Sequence, residues 1–146
     1  MQKLPLPLKA VIDTNVFISG LISEKGKSAS LIDNWRKGNF ILIFSSQLID
    51  ELLEVANRPY IKEKYNIKEE QIEDLVKTIY RKAIRVKGLY EVVKSEDPKD
   101  NMFLACALEG KADYLVSLDP HLINLKYYYG VQIVKVEQFL RLLERR

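Results

Sequence analysis

Leu8-Lys9-Ala10-Val11-Ile12-Asp13-Thr14-Asn15 decides the fold. Its apolar run carries β-branched residues and stops at a carboxylate, with Thr14 and Asn15 behind it. This reads as a buried strand that opens onto a site. In an open parallel sheet the ligand crevice lies beyond the carboxyl ends of the strands, so Asp13 would face a pocket.

Outward from this strand the chain alternates. Residues 16–22 read as a short helical turn running into the polar loop 23–27. Ser28 is a candidate cap for a helix whose apolar positions Leu31, Ile32 and Trp35 have helical spacing, stopped by Lys37-Gly38. Residues 40–44, Phe-Ile-Leu-Ile-Phe, have no polar break, as expected of a strand covered on both faces. Ser45 and Ser46 offer a cap for a helix over 47–57. After Pro59 come a short helix over 60–65 and a longer amphipathic one over 68–81, with Ile72, Leu75, Val76, Ile79 and Tyr80 on one face. A third strand is expected somewhere in 83–93.

Ser95-Glu96-Asp97-Pro98-Lys99-Asp100-Asn101 is a polar turn leading into a compact helix over 102–109, ended by Gly110. The residue before a proline is pushed out of helical conformation, so Asp97 belongs outside the helix. Asp100 falls at its start, where a carboxylate meets unpaired N–H groups. Residues 114–117 form another strand ending at Leu118-Asp119-Pro120. A loop with Tyr127, Tyr128 and Tyr129, a strand over 131–134 and an amphipathic helix over 136–143 complete the chain. The order predicts α/β architecture, a mostly parallel sheet with helices on both faces and right-handed crossovers.

Length and composition agree with one soluble domain spanning 1–146: 47% of residues are hydrophobic, 29% are charged and the formal charge is +3. Such a charge permits a polyanionic partner without requiring one. The one cysteine, Cys106, excludes an internal disulfide and lies in an apolar run, so it reads as core. Two prolines interrupt residues 1–7, where a signal peptide would need a continuous apolar stretch, and nothing approaches a membrane span. The expected location is cytoplasmic.

The acids carry the chemistry. Asp13 follows the first strand, Glu51 lies in the helix after the second, Asp97 and Asp100 precede a later helix, and Asp119 follows the next strand. A doubly wound sheet brings these places to one edge. Glu51 remains near it, because a helix rises only about 1.5 Å per residue. Crowded carboxylates repel unless protonated or bridged by a cation, and oxygen donors without clustered Cys or His suit Mg or Mn. Such a site can hold a phosphodiester and activate water, so phosphodiester hydrolysis is the inferred reaction. The chain has no Gly-rich phosphate loop, zinc motif or nucleophile elbow. A haloacid-dehalogenase-like phosphatase would want a second Asp where Asn15 stands. A receiver domain would need its Asp on a middle strand and an early acidic pair.

These residues resemble the PIN domain family. Asp13-Thr14-Asn15, Ser46 with Glu51, Asp97-Pro98-Lys99-Asp100-Asn101 before Phe103-Leu104-Ala105-Cys106-Ala107, and Ala112-Asp113-Tyr114-Leu115-Val116-Ser117-Leu118-Asp119 occur in the family's order. More narrowly they resemble the toxin component of type II toxin–antitoxin systems. The resemblance implies a PIN-like three-layer sandwich on a parallel five-stranded sheet and a Mg- or Mn-dependent endoribonuclease acting on single-stranded RNA. It carries Asp13, Glu51, Asp100 and Asp119 over as catalytic and metal-binding acids, with Asp97 as an accessory metal ligand. Asn15 and Ser117 match the polar residues that orient ligands and water. Ser46 joins them as a supporting residue. Asn101 stands where many relatives have another acid.

Lys25, Lys27 and Lys99 are candidates to receive RNA phosphates, and the three tyrosines could stack on bases or serve packing. His121 reads as a surface loop residue. A cognate antitoxin and a homodimer are further expectations from the resemblance. The contrary reading is a catalytically silent RNA- or partner-binding module on the same fold.

Overall fold

The computed structural model describes residues 6–145. The reading of residues 1–7 as lacking a signal peptide therefore lies outside the described residues, except at Leu6 and Pro7. The elements in chain order are β1 (Lys9–Ile12), α1 (Thr14–Ile22), α2 (Lys27–Arg36), β2 (Ile41–Phe44), α3 (Ser46–Ala56), α4 (Pro59–Lys64), α5 (Glu69–Lys82), β3 (Ile84–Arg85), α6 (Pro98–Glu109), β4 (Tyr114–Val116), α7 (Pro120–Leu125), β5 (Tyr127–Tyr128), β6 (Val131–Val134) and α8 (Val136–Glu144).

The sheet runs β3-β2-β1-β4-β6-β5, with β5 antiparallel to β6 and every other pairing parallel. The five parallel strands are those the alternation predicts, and the sixth is a two-residue ribbon inside the tyrosine loop. The chain enters at the middle strand, builds outward through β2 and β3, then returns to the other side of β1 through β4 and β6. The point between β1 and β4 is thus a topological switch, where a crevice opens at the carboxyl ends.

Side chains alternate across each strand and divide the core into two layers. Ala10, Ile12, Leu42, Phe44 and Val116 face α1, α2, α3, α5 and α8. Val11, Ile43, Leu115 and Ile133 face α6 and α7, and Leu48 of α3 joins them. Phe139 of α8 is fully buried and meets Phe40 edge-on, with ring centroids 5.0 Å apart. At Gly20, α1 touches the start of α2: a Cβ there would lie 2.5 Å from Ile32 Cδ1 and 3.4 Å from the Ala29 nitrogen.

Several boundaries differ from the sequence reading. Helix α1 begins directly after Asp13 and runs nine residues. Helix α2 starts at Lys27 with Gly26 at its N-cap, so Ser28 lies within the first turn and does not cap it. His121 lies on α7, a six-residue helix and not a loop; Asp119 caps it and proline opens it. Helix α6 begins at Pro98, four residues earlier than read, which places Asp100 inside its first turn. Cys106 is buried and its thiol is pushed up to about 12 by burial, against a hydrogen bond with Ser45, so it is a core residue. Among the described residues no helix is long and apolar enough to cross a membrane.

Candidate active site

The register Ile12↔Val116 sets the two strand ends side by side, so Asp13 leaves β1 next to Ser117 leaving β4. Asp13 is 2% exposed and acts as the N-cap of α1. Its Oδ1 accepts from the backbone N–H groups of Asn15 at 2.8 Å and Val16 at 3.3 Å. Its Oδ2 accepts from the Ser117 hydroxyl and, at 3.2 Å, from the Leu118 N–H. Burial pushes the Asp13 carboxyl above its ordinary range, while these four hydrogen bonds, Ser117 foremost, pull it back. The Ser117 hydroxyl also accepts the Asp119 N–H at 2.9 Å, tying the tip of β4 to the tip of β1.

A cleft of ≈ 250 Å³ opens at this edge. Asp13, Asn15, Glu51, Asp97, Asp100 and Asp119 line it, with Arg58, Lys99 and a floor of Val55, Phe103 and Leu122. The topology thereby brings all five predicted acids together. Asp100 is buried and accepts at 3.2 Å from the Ser95 hydroxyl. Its carboxyl is pushed up to about 6, first by burial, then by the Asp119 carboxylate in hydrogen-bond contact and by the charge of Asp97. Asp97 caps α6, accepting the Lys99 N–H at 2.9 Å. Glu51 pairs with Lys99 Nζ at 3.2 Å.

Among the described residues, no three of His, Cys, Asp and Glu form a tight cluster ready to hold an ion. The donors nevertheless fit a hard divalent cation. All are carboxylate oxygens with an amide nearby, and Asp100 and Asp119 are pressed together at a cost that a cation would offset. Asp13, Asp100 and Asp119 stand nearest to that role. Glu51 would join once Lys99 moves aside.

Other predicted residues lie elsewhere. Ser46 does not line the cleft; its hydroxyl accepts from Arg85 at 2.6 Å. Lys25 and Lys27 do not line it either, and Lys27 pairs with Glu137 at 3.1 Å. Lys99 is at the mouth but bonded to an acid. Tyr127 and Tyr129 are exposed on the β5 hairpin, away from the lining residues.

The sequence reading passed over Arg58, Ser95 and the role of Asn101. Arg58 lines the cleft from the N-cap of α4, where it pairs with Glu54 at 3.1 Å. Asn101 is no vacant acid: its Oδ1 accepts the N–H groups of Lys94 at 3.1 Å and Ser95 at 2.8 Å. Its Nδ2 donates to the Ser95 carbonyl at 2.8 Å. The sequence reading set Asn101 just before the helix; the structure places it inside α6, from where its amide reaches back to the turn that precedes the helix.

Comparison with known proteins identifies the family. An uncharacterized protein of Methanocaldococcus jannaschii is 28% identical to this chain over 127 residues, covering 86% of the chain and 81% of the relative. The PIN domain family model matches residues 9–121, which include Asp13, Glu51, Asp97, Asp100 and Asp119. PIN domains are generally nucleases, and this chain belongs to the PIN domain family.

Proposed function

We propose that the protein is a Mg- or Mn-dependent endoribonuclease that hydrolyses phosphodiester bonds of single-stranded RNA. The observation that carries the reading is the convergence of five carboxylates on one strand-end cleft, with Asp100 and Asp119 in contact. Surface acids spread apart, whereas crowding at the floor of a cleft suits a site meant to hold positive charge. Asp13, Asp100 and Asp119 would hold a divalent ion there, which would neutralise charge and make a bound water more acidic than bulk water.

The chain's own residues do the rest. Ser117 and the amides of α1 fix the Asp13 carboxylate in one orientation, so no reorganisation is needed when substrate arrives. Ser95 orients Asp100. Arg58 and Lys99 offer cations at the mouth, which lowers the repulsion between the acids and an incoming phosphate. Asn15, exposed beside Asp13, can donate to a phosphate oxygen or a water.

The family resemblance supports a place as the toxin of a two-component system, restrained by an antitoxin that covers the acidic cleft. It also supports a homodimer. The contrary reading, a binding module without turnover, finds its support in the Glu51–Lys99 ion pair, which neutralises one acid internally. Labelled single-stranded RNA incubated with Mn, Mg or chelator separates the two. Cleavage that requires metal and vanishes in Asp13→Asn and Asp100→Asn is the expected result. A folded parent that binds RNA and never cuts it would identify the silent module.

A further inference from the structure

A second cavity of ≈ 430 Å³ adjoins the acidic cleft across the Ser117-Leu118 segment. Its character is opposite. Lys27 and Lys135 line it, with the hydroxyl residues Ser19, Ser28 and Ser117 and one acid, Glu137. The start of the ten-residue helix α2 opens into it at Lys27 and Ser28. Gly26, the N-cap, has no side chain to offer, and the N–H groups of Lys27, Ser28 and Ala29 have no acceptor among the described residues. Ser28 adds an independent sign. It is 6% exposed, its hydroxyl makes no hydrogen bond among the described residues, and it lines this cavity. The Ser28 side chain, nine-tenths buried, thus presents an unpartnered hydroxyl to the cavity beside unpaired amides and two ammonium groups, and an anion there would accept from all of them.

We propose that this cavity is a phosphate subsite, holding a backbone phosphate of the RNA strand next to the one cut in the acidic cleft. The inference rests on the ribonuclease reading. Ser117 is the shared wall: its hydroxyl holds Asp13, and the residue also lines the second cavity. One strand can therefore lay one phosphate among the carboxylates and a neighbouring one against α2. The cationic subsite supplies the attraction that five acids deny the substrate. Glu137 is no obstacle, since its pair with Lys27 is solvent-exposed and therefore weak. Its other oxygen already lies 3.9 Å from Arg141, towards which it can turn.

The test is binding of a short fluorescent single-stranded RNA in chelator across a KCl series, with the parent's metal-dependent cleavage measured alongside. Each phosphate contact in a single strand contributes about 0.7 to the slope of log K against log salt. Lys135→Gln should lower that slope by ~0.7. Ser28→Ala should weaken binding without changing the slope, Glu137→Gln should tighten it, and Lys77→Gln on exposed α5 should do neither. Inorganic phosphate should also shift the amide resonances of Lys27, Ser28 and Ala29 in the parent.

If parent and Lys135→Gln share one slope while the parent still cuts RNA, the subsite is overturned and the ribonuclease reading survives. If the parent neither binds nor cuts RNA, both fall, even where phosphate still shifts the three amides.

Discussion

The side-chain amide of Asn101 is paired with the main chain of Ser95 in both directions, accepting its N–H and donating to its carbonyl, each at 2.8 Å. This holds Ser95 where its hydroxyl reaches Asp100. An aspartate at 101 keeps the acceptor but faces the Ser95 carbonyl with a second acceptor. Asn101→Asp should therefore cost about 1–3 kcal/mol in denaturant unfolding and lower cleavage more than binding, despite adding an acid to the site. A variant as stable and active as the parent would show that the pairing is idle.

Ser117→Ala removes the largest influence holding the Asp13 carboxyl down. The buried carboxylate then keeps only backbone donors. A loss of about 1–2 kcal/mol in stability is expected, together with weaker metal binding, since Asp13 becomes harder to ionise. Ser117→Thr keeps the hydroxyl and should retain metal affinity. Isothermal titration with Mn compares the three proteins.

The pH dependence of the metal-free protein follows from Asp100, whose carboxyl sits at about 6 when folded against an ordinary value of 3.8. The folded state binds the proton more tightly, so this contribution is fully present below pH 3.8 and is lost as pH rises through about 6. Asp100→Asn should flatten that fall and raise the melting temperature at pH 7 by about 3 °C, while abolishing cleavage. Metal must displace the same proton, so Mn affinity of the parent should climb up to about pH 6 and level off above it.

Lys99→Gln frees Glu51 from its 3.2 Å ion pair. With Lys99 half-exposed, little stability should be lost, within about 1 kcal/mol. Divalent affinity should rise several-fold, because the uncovered carboxylate is available to the ion. Unchanged affinity would place Glu51 outside the ion's reach. RNA binding in chelator should weaken, since one cation has left the mouth.

What the sequence disclosed was whatever a buried strand and its tip disclose. Residues 10–12 and 41–44 are apolar without interruption, so their place in the sheet was legible, and with it the place of Asp13. Glu51 was legible through helical rise alone. Helix α7 was hidden because Asp119-Pro120 serves equally as a turn or as a cap with proline at the first position. Arg58 was hidden for another reason: it reaches the cleft only through the bend between α3 and α4, a tertiary outcome. Lys27 carries the right charge but lies across the Ser117-Leu118 segment, because the packing of α2 on α8 sets its direction.

Entry at the middle strand also sets an order of events for a chain still being made. The hydrogen bond from Ser117 to Asp13 joins residues 104 positions apart, and Asp119 lies further on. Domains fold as units, and the N-terminal part of a nascent chain emerges first. Asp13, Glu51 and Asp100 thus wait, without their last partner, until β4 has been synthesised and slotted in beside β1. If the proposed ribonuclease activity holds, this topology delays it during synthesis: the cleft closes into a working site only after β4 has joined β1.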